Sequence, residues 1–121
     1  MNNLEIFNKV EQHLLSQNAK SQIHRRGLDL FVCGYRGTEG RMCAVGCLIK
    51  DQYYSPTFEG ESALDAGVIR ALNQSGINTQ EPSTMSMLID LQMLHDRAPV
   101  SEWRDKLAEI RTKLEYNESL S

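Results

Sequence analysis

The sequence predicts a mainly α protein: a compact bundle of about four to five helices with a small β-hairpin near residues 28–43. Apolar residues recur at three- and four-residue spacing in four separate segments, which is typical of amphipathic helices. One further segment alternates and runs into a glycine-rich turn, which indicates a hairpin. The 121 residues, 40% of them apolar, suffice for one modest core. We therefore expect a single domain over residues 1–121, with a tail that frays from about residue 116.

The first helix is predicted over residues 4–16. Phe7, Val10 and Leu14 share one face, and Asn2 or Asn3 can cap the start. The next ten residues, NAKSQIHRRG at 18–27, show no periodic pattern and are predicted to form a loop.

The hairpin prediction rests on residues 28–42. Residues 28–33 alternate as a short strand does, the TEG turn at 38–40 reverses the chain, and Arg41 and Met42 form the expected return leg. The following CAVGCLI at 43–49 is too apolar to face water, and the helical spacing of Ala44, Cys47 and Leu48 predicts a short buried helix. Pro56 and Gly60 then predict an irregular link.

Three later helices are each predicted from a serine cap and an apolar stripe. Ser62 caps a helix that ends near Ser75, Ser83 caps a helix over about 84–97, and Ser101 caps the last helix. The stripes consist of Leu64, Val68 and Leu72; of Leu88, Leu91, Leu94 and His95; and of Trp103, Leu107, Ile110 and Leu114. Three methionines, at 85, 87 and 93, lie on the helix predicted over about 84–97. They either fill the core or form a face for a partner helix or a homodimer.

Charge and composition limit the function classes. The formal net charge is −3, so the chain has no basic field for direct nucleic-acid binding, although an acidic surface attracts a basic partner. The basic HRR at 24–26 is predicted to lie in a solvated loop. No apolar run reaches the length of a membrane span, and three cysteines are expected to be free thiols in a cytoplasmic protein. No cofactor is expected, because GYRGTEG lacks the Lys-Ser/Thr of a phosphate-binding loop.

The string CGYRGTEGRMCAVGCLI at 33–49, with the following Asp51, Tyr53, Tyr54, Pro56 and FEG, resembles a family of small uncharacterised phage, prophage and bacterial proteins. In that family a Cys-x-Tyr-Arg-Gly turn leads into Cys-Ala-Val-Gly-Cys-Leu-Ile. An opening helix that ends HLLSQNAKS and a late LHDRAPVSEW fit the same pattern, so the resemblance covers nearly the whole chain. Lys50 departs from it where proline is expected. The resemblance implies a phage-type accessory protein and carries over no catalytic residue.

Two kinds of cysteine chemistry are alternatives to simple burial. Cys43, at the start of a short helix, could act as a nucleophile with His95 as base and Asp96 as its orienting group. Cys33, Cys43 and Cys47 could instead bind zinc, with His24 or His95 as the fourth ligand. The spacing matches neither the usual paired Cys-x2-Cys ligands nor a known cysteine-hydrolase signature, so the favoured interpretation is that the thiols pack as small apolar groups.

Tyr35, Arg36, Arg41 and Glu59 are the predicted partner-binding residues, because Tyr and Arg are enriched at binding hot spots. The competing structural interpretation pairs Arg36 with Glu59 or Asp51 to stiffen the hairpin. The sequence thus predicts a protein that binds and modulates or inhibits a host protein, with an anti-CRISPR-like inhibitor of a defence system as the sharpest form. The alternative is a small cysteine-dependent hydrolase or transferase that uses Cys43 and His95.

Overall fold

The computed structural model describes residues 1–25 and 30–120, without the side chains of residues 25, 30 and 31. Leu28 and Asp29 of the predicted strand, Arg26 of the basic segment and the terminal Ser121 lie outside these residues. The fold is mainly α, as predicted. In the described residues it comprises α1 (Asn3–Gln17), β1 (Gln22–Arg25), β2 (Leu30–Cys33), α2 (Ala66–Gln74), α3 (Pro82–Arg97) and α4 (Trp103–Ser119), with short 3₁₀ turns between them.

Helices α1, α3 and α4 pack against one another and form what we call the three-helix core. Asn3 bonds Thr84 at one end, and Lys20 bonds the main chain of Asp96 at the other, so α1 and α3 run in the same direction. The buried side chains of the core include the predicted stripes: Phe7, Val10 and Leu14 of α1, Leu88, Leu91 and His95 of α3, and Trp103 and Leu107 of α4. Apolar periodicity therefore identified the faces that meet.

The helix starts are only partly as predicted. Asn2 caps α1 through a reciprocal capping box with Glu5, as expected. Asp65, not Ser62, caps α2, because the Ser62 hydroxyl accepts from the Leu64 N–H in a turn that precedes the helix and leaves Leu64 60% exposed. In the same way, Pro82 begins α3 ahead of Ser83, and a 3₁₀ turn at Val100–Glu102 contains Ser101 and precedes α4.

The hairpin has a different pairing from the predicted one. Strand β2 pairs antiparallel with β1, which lies in the segment predicted to be a loop, with Gln22 opposite Cys33. The expected return leg contributes one isolated bridge, between Arg36 and Met42. Gly40 has a positive φ of 71° in the turn between them. Alternation in the short QIHR segment was too weak a signal to separate a strand from a polar loop.

Residues 34–61 form a loop region that is bonded to α1 through Gln17 and to α3 through Gln92. The predicted buried helix in it is a 3₁₀ turn at Gly46–Leu48, with Ala44, Val45 and Leu48 all buried. The irregular link at 50–61 is confirmed, apart from two further 3₁₀ turns within it. At the chain end α4 continues helical through Ser119, and fraying beyond residue 116 stays a prediction.

Candidate functional site

The site begins with a cluster of three side chains from two elements. Cys33 ends β2, whereas His95 and Asp96 lie in the last turn of α3, and their thiol, imidazole and carboxylate ligand atoms lie within 4.8 Å of one another. The main chain of Ser21, just before β1, completes the arrangement by bonding His95. We call Cys33, His95 and Asp96 the Cys-His-Asp cluster.

His95 is fully buried, and both of its ring nitrogens are engaged. The Ser21 main-chain N–H donates to Nε2 at 2.9 Å, which requires Nε2 to be an acceptor. In the neutral ring the proton is therefore on Nδ1, which lies 2.8 Å from Oδ1 of Asp96 and donates to it. The ring also packs against Trp103, with centroids 5.6 Å apart. This histidine orients Asp96 and ties the start of the hairpin to α3.

Asp96 is held as a carboxylate. Burial acts to raise its pKa, but hydrogen bonds from His95, Cys33 and Gln92 outweigh burial and hold the pKa below its usual range. The Gln92 amide donates to Oδ1 at 2.9 Å. The negative charge has the opposite effect on its neighbour: burial first, and then Asp96, raise the pKa of the Cys33 thiol to about 11. At neutral pH the cluster thus contains a thiol that donates to a carboxylate.

A half-open cavity of about 340 Å³ adjoins the cluster. Cys33, Gln92 and Asp96 line it beside the apolar Ile89 and Ala63, and Glu61 and Leu64 lie at its rim. Within the part of the chain that the structure describes, its lining contains two carboxylates and no lysine or arginine. The volume lies in the range of small-ligand pockets.

The predicted nucleophile, Cys43, is not placed for catalysis. Its side chain is 1% exposed, and burial raises the pKa of its thiol far above the usual value. Its sulfur accepts the Gly46 N–H at 3.3 Å, as a capping side chain would at the start of a turn. The two nitrogens of His95 meanwhile bond Ser21 and Asp96. The structure therefore brings His95 and Asp96 together as predicted and leaves Cys43 without a base.

The predicted zinc set is not assembled either. In the described ranges, Cys43 and Cys47 do not join Cys33 in a group of ligand atoms, and His24 is exposed on β1. The Cys-His-Asp cluster has suitable ligand types, but a metal on Nδ1 would need the proton on Nε2, where the Ser21 N–H already points. Cys47 instead donates to the Ala44 carbonyl at 3.1 Å.

The four predicted partner-binding residues hold the loop region together. Tyr35 is buried, and its hydroxyl donates to the Glu61 carbonyl at 2.7 Å. The Glu59 carboxylate accepts from the main-chain N–H groups of Tyr35 and Arg36 and from the Tyr54 hydroxyl. These bonds favour a structural role in the loop region for Tyr35 and Glu59 over a role in partner binding.

Arg36 and Arg41 are also paired. Arg36 bonds Asp51 and the Ile49 carbonyl, and its guanidinium lies over the Tyr54 ring at 5.0 Å. Arg41 pairs with Glu39 at 3.0 Å and remains 38% exposed. The Arg41 side chain is more exposed than that of Arg36, which is 24% exposed.

Glycines of the motif permit close backbone approach. A Cβ on Gly46 would lie 2.2 Å from the Tyr35 carbonyl oxygen, and one on Gly37 would lie 2.5 Å from the Ser21 hydroxyl. Neither contact is possible for a larger residue without backbone movement. These two glycines of the 33–49 string are thus explained by packing of the backbone at these positions.

Sequence reasoning missed Ser21, Gln92 and the place of Cys33 beside Asp96. The buried Ser21 hydroxyl donates to the Gly34 carbonyl, and the Gln92 side chain joins the Val45 N–H to Asp96. A polar residue one turn before His95 and Asp96 on the same helix was the available signal. The spacing of residues in the sequence does not predict that Cys33, at the end of β2, lies against this face of α3.

Comparison with known proteins returned no match to a family model, to a curated protein or to a solved structure. None of the helices in the described part of the chain has an apolar stretch long enough for a bilayer crossing.

Proposed function

We propose that this protein is a phage- or prophage-type accessory protein that binds a host protein and modulates or inhibits it. The phage context comes from the sequence resemblance. The mode of action, non-covalent binding, is supported by one observation above all: the imidazole that a cysteine enzyme would need has both nitrogens in structural hydrogen bonds. An inhibitor of a host defence system, anti-CRISPR-like in action, is the sharpest form of the proposal, and its place of action is the host cytoplasm.

The experiment is reconstitution with an identified partner. Tagged protein is expressed in a bacterial host, a stoichiometric partner is identified by mass spectrometry, and the complex is rebuilt from purified components. We expect 1:1 or other fixed stoichiometry and a change in the partner's activity. An unrelated acidic protein of similar size is the control. If no partner is recovered in fixed stoichiometry, or if binding leaves its activity unchanged, the proposal is wrong.

A defence-system target has its own readout. Phage plating on a host with an active CRISPR system should rise when this protein is expressed and should not change in a host that lacks the system. Equal plating in both hosts would leave the binding proposal in place and remove its anti-CRISPR form.

The competing function is the cysteine-dependent enzyme. It requires a Cys43 thiolate at neutral pH, which burial opposes. Alkylation with iodoacetamide, followed by peptide mapping, separates the two. We expect Cys43 to react only after unfolding and Cys33, which is half-buried, to react first in the folded protein. Rapid alkylation of native Cys43 would favour the enzyme.

A further inference from the structure

We propose that the cavity beside Asp96 receives the basic side chain, arginine or lysine, of a bound protein. The inference deepens the proposed function, on which it rests, by naming the chemistry of one contact with the partner. It follows from the charge of the cavity, its shape and the exposed apolar residue at its rim.

The charge of the cavity selects a cation. Asp96 lies in its wall with 36% of its side chain exposed, and Glu61 adds a second carboxylate at the rim. A carboxylate can accept about four hydrogen bonds, and those from His95, Gln92 and Cys33 leave capacity on Asp96. A guanidinium or ammonium group entering the cavity would form a charge-assisted hydrogen bond there.

Lys20 does not occupy this position. It donates to the main-chain oxygen of Asp96 at 3.3 Å, and the bond that the carboxylate receives from its own helix comes from Nδ1 of the buried His95. Burial first, and then Cys43, Asp96, Glu59 and Asp65, raise the pKa of Tyr35, which also lines the cavity. Burial is the largest cause of the raised pKa of both Tyr35 and Cys33; Asp96 raises both pKa values further, whereas the Lys20 charge lowers that of Cys33.

The shape fits a charged group on an apolar stem. Ile89 and Ala63 form the apolar wall, along which the methylenes of an arginine or lysine can pack while the charged end reaches Asp96. Leu64 at the rim is 60% exposed, in a turn outside any helix. An exposed large apolar residue beside a charged cavity favours a protein surface around the mouth over a free small cation.

The test uses two peptides of the same length whose side chains match in shape, one ending in a charged guanidinium and the other in a neutral urea group. Acetyl-Gly-Arg-Gly-amide and the same peptide with citrulline are titrated into ¹⁵N-labelled full-length protein at low ionic strength. We expect saturable amide shifts at Cys33, Leu64 and Gln92 with the arginine peptide and about tenfold weaker binding of the citrulline peptide. Equal binding of the two peptides, or no shift of these amides, overturns the proposal.

Three variants locate the contact. Asp96→Asn keeps an acceptor for His95 and removes the charge, so it should weaken arginine-peptide binding about tenfold. Glu61→Gln should weaken it less, because Glu61 is exposed at the rim. Glu115→Gln, on the exposed face of α4, is the matched control and should change nothing. If Asp96→Asn does not fold, an effect of Glu61→Gln absent from Glu115→Gln still supports the proposal, and equal behaviour of these two overturns it.

The partner experiment separates this inference from the proposed function. If the reconstituted partner binds folded Asp96→Asn and Glu61→Gln as tightly as the unmodified protein, the cavity inference is wrong and the proposed function stands. If the arginine peptide binds in the cavity but no partner is found, the proposed function fails and the cation preference of the cavity stands.

Discussion

The three-helix core and the loop region at 34–61 are held by different interactions. The core buries whole apolar faces, and its internal hydrogen bonds are mostly those of the helices themselves. The loop region has no long element, and side chains such as Glu59, Arg36 and Gln17 bond its main chain at many points. Core stability should therefore depend on buried volume, whereas loop stability should depend on individual polar groups whose loss leaves donors unpaired.

The largest expected effect is in the core. Trp103 is fully buried, packs on His95 and donates its Nε1–H to the Ala98 carbonyl at 3.1 Å. Trp103→Ala should lower the free energy of unfolding by about 3–5 kcal/mol, because it leaves a large cavity. Urea unfolding followed by circular dichroism measures this, since the variant lacks the chain's one tryptophan. Trp103→Phe is the control and should cost less. A loss below about 1 kcal/mol for the alanine variant would contradict this account of the core.

The second-largest loss of stability is expected at Glu59, in the loop region. Glu59→Gln retains the size of the side chain but replaces one acceptor oxygen by an amide NH2 group, so that at least one of the three donors loses its acceptor. We expect a loss of about 2–3 kcal/mol in the free energy of unfolding. The neighbouring Glu61→Gln is the control, because the Tyr35 hydroxyl donates to the main-chain oxygen of Glu61, which the substitution does not change. If both variants have the same free energy of unfolding, the hydrogen bonds of the Glu59 side chain do not stabilise the loop region.

A smaller effect should appear at high pH, at the thiols of Cys33 beside the core and Cys47 in the loop region. Burial raises the pKa of Cys33 to about 11 and that of Cys47 to about 12, above the usual pKa of 9.0 for a thiol. Above pH 9 the unfolded thiols lose protons that the folded state keeps, so stability is full below pH 9 and falls as pH rises toward 11 and 12. Urea midpoints between pH 8 and pH 10.5, in reductant, measure the slope. Cys33→Ala should flatten it, and an unchanged slope would contradict the assignment.

The cysteine at the end of the motif should matter less. Cys47→Ala removes a sulfur packed against the core and its bond to the Ala44 carbonyl, and should cost about 1 kcal/mol in the free energy of unfolding. Partner binding should be unchanged, because Cys47 packs inside the loop region. Loss of partner binding at undiminished stability would show that this thiol acts at a surface.

The smallest effect is expected at Asp51. Its side chain is 92% exposed, so the ion pair with Arg36 is screened by water. Asp51→Asn should change the free energy of unfolding by less than about 1 kcal/mol, because Arg36 keeps its bond to the Ile49 carbonyl. Arg36→Ala, measured in the same urea titration, should cost more. The reverse order would show that the exposed ion pair holds the loop.

The two regions also differ in how far the sequence predicted them. Apolar periodicity located the four α-helices of the described residues, and in α1 it agreed with the cap at Asn2. Where the hairpin leads into the loop region, the sequence predicted that β2 pairs with Arg41 and Met42, because neighbours in sequence are the default partners for a strand. The structure pairs β2 with β1, whose four residues carry too little pattern to be recognised.

The candidate site, like the fold, was predicted from the sequence only in part. His95 and Asp96 were identified as a candidate base and orienting group from their residue types and adjacent positions, and they do contact each other. Their third neighbour was expected to be Cys43 and is Cys33, because the β1–β2 pairing carries the end of β2 to the last turn of α3. A sequence offers three cysteines as equivalent candidates; burial and hydrogen bonding distinguish them.

The sequence by itself determined the helical class, the buried faces of α1, α3 and α4, and the lack of a basic field, because these depend on residue types at fixed local spacing. The tertiary structure alone decided which nitrogen of His95 carries its proton, which thiol meets Asp96, and where an acidic cavity opens. Those properties arise where residues far apart in the chain, such as Ser21, Cys33 and Asp96, come within hydrogen-bonding distance. The local spacing of residue types does not predict such long-range contacts.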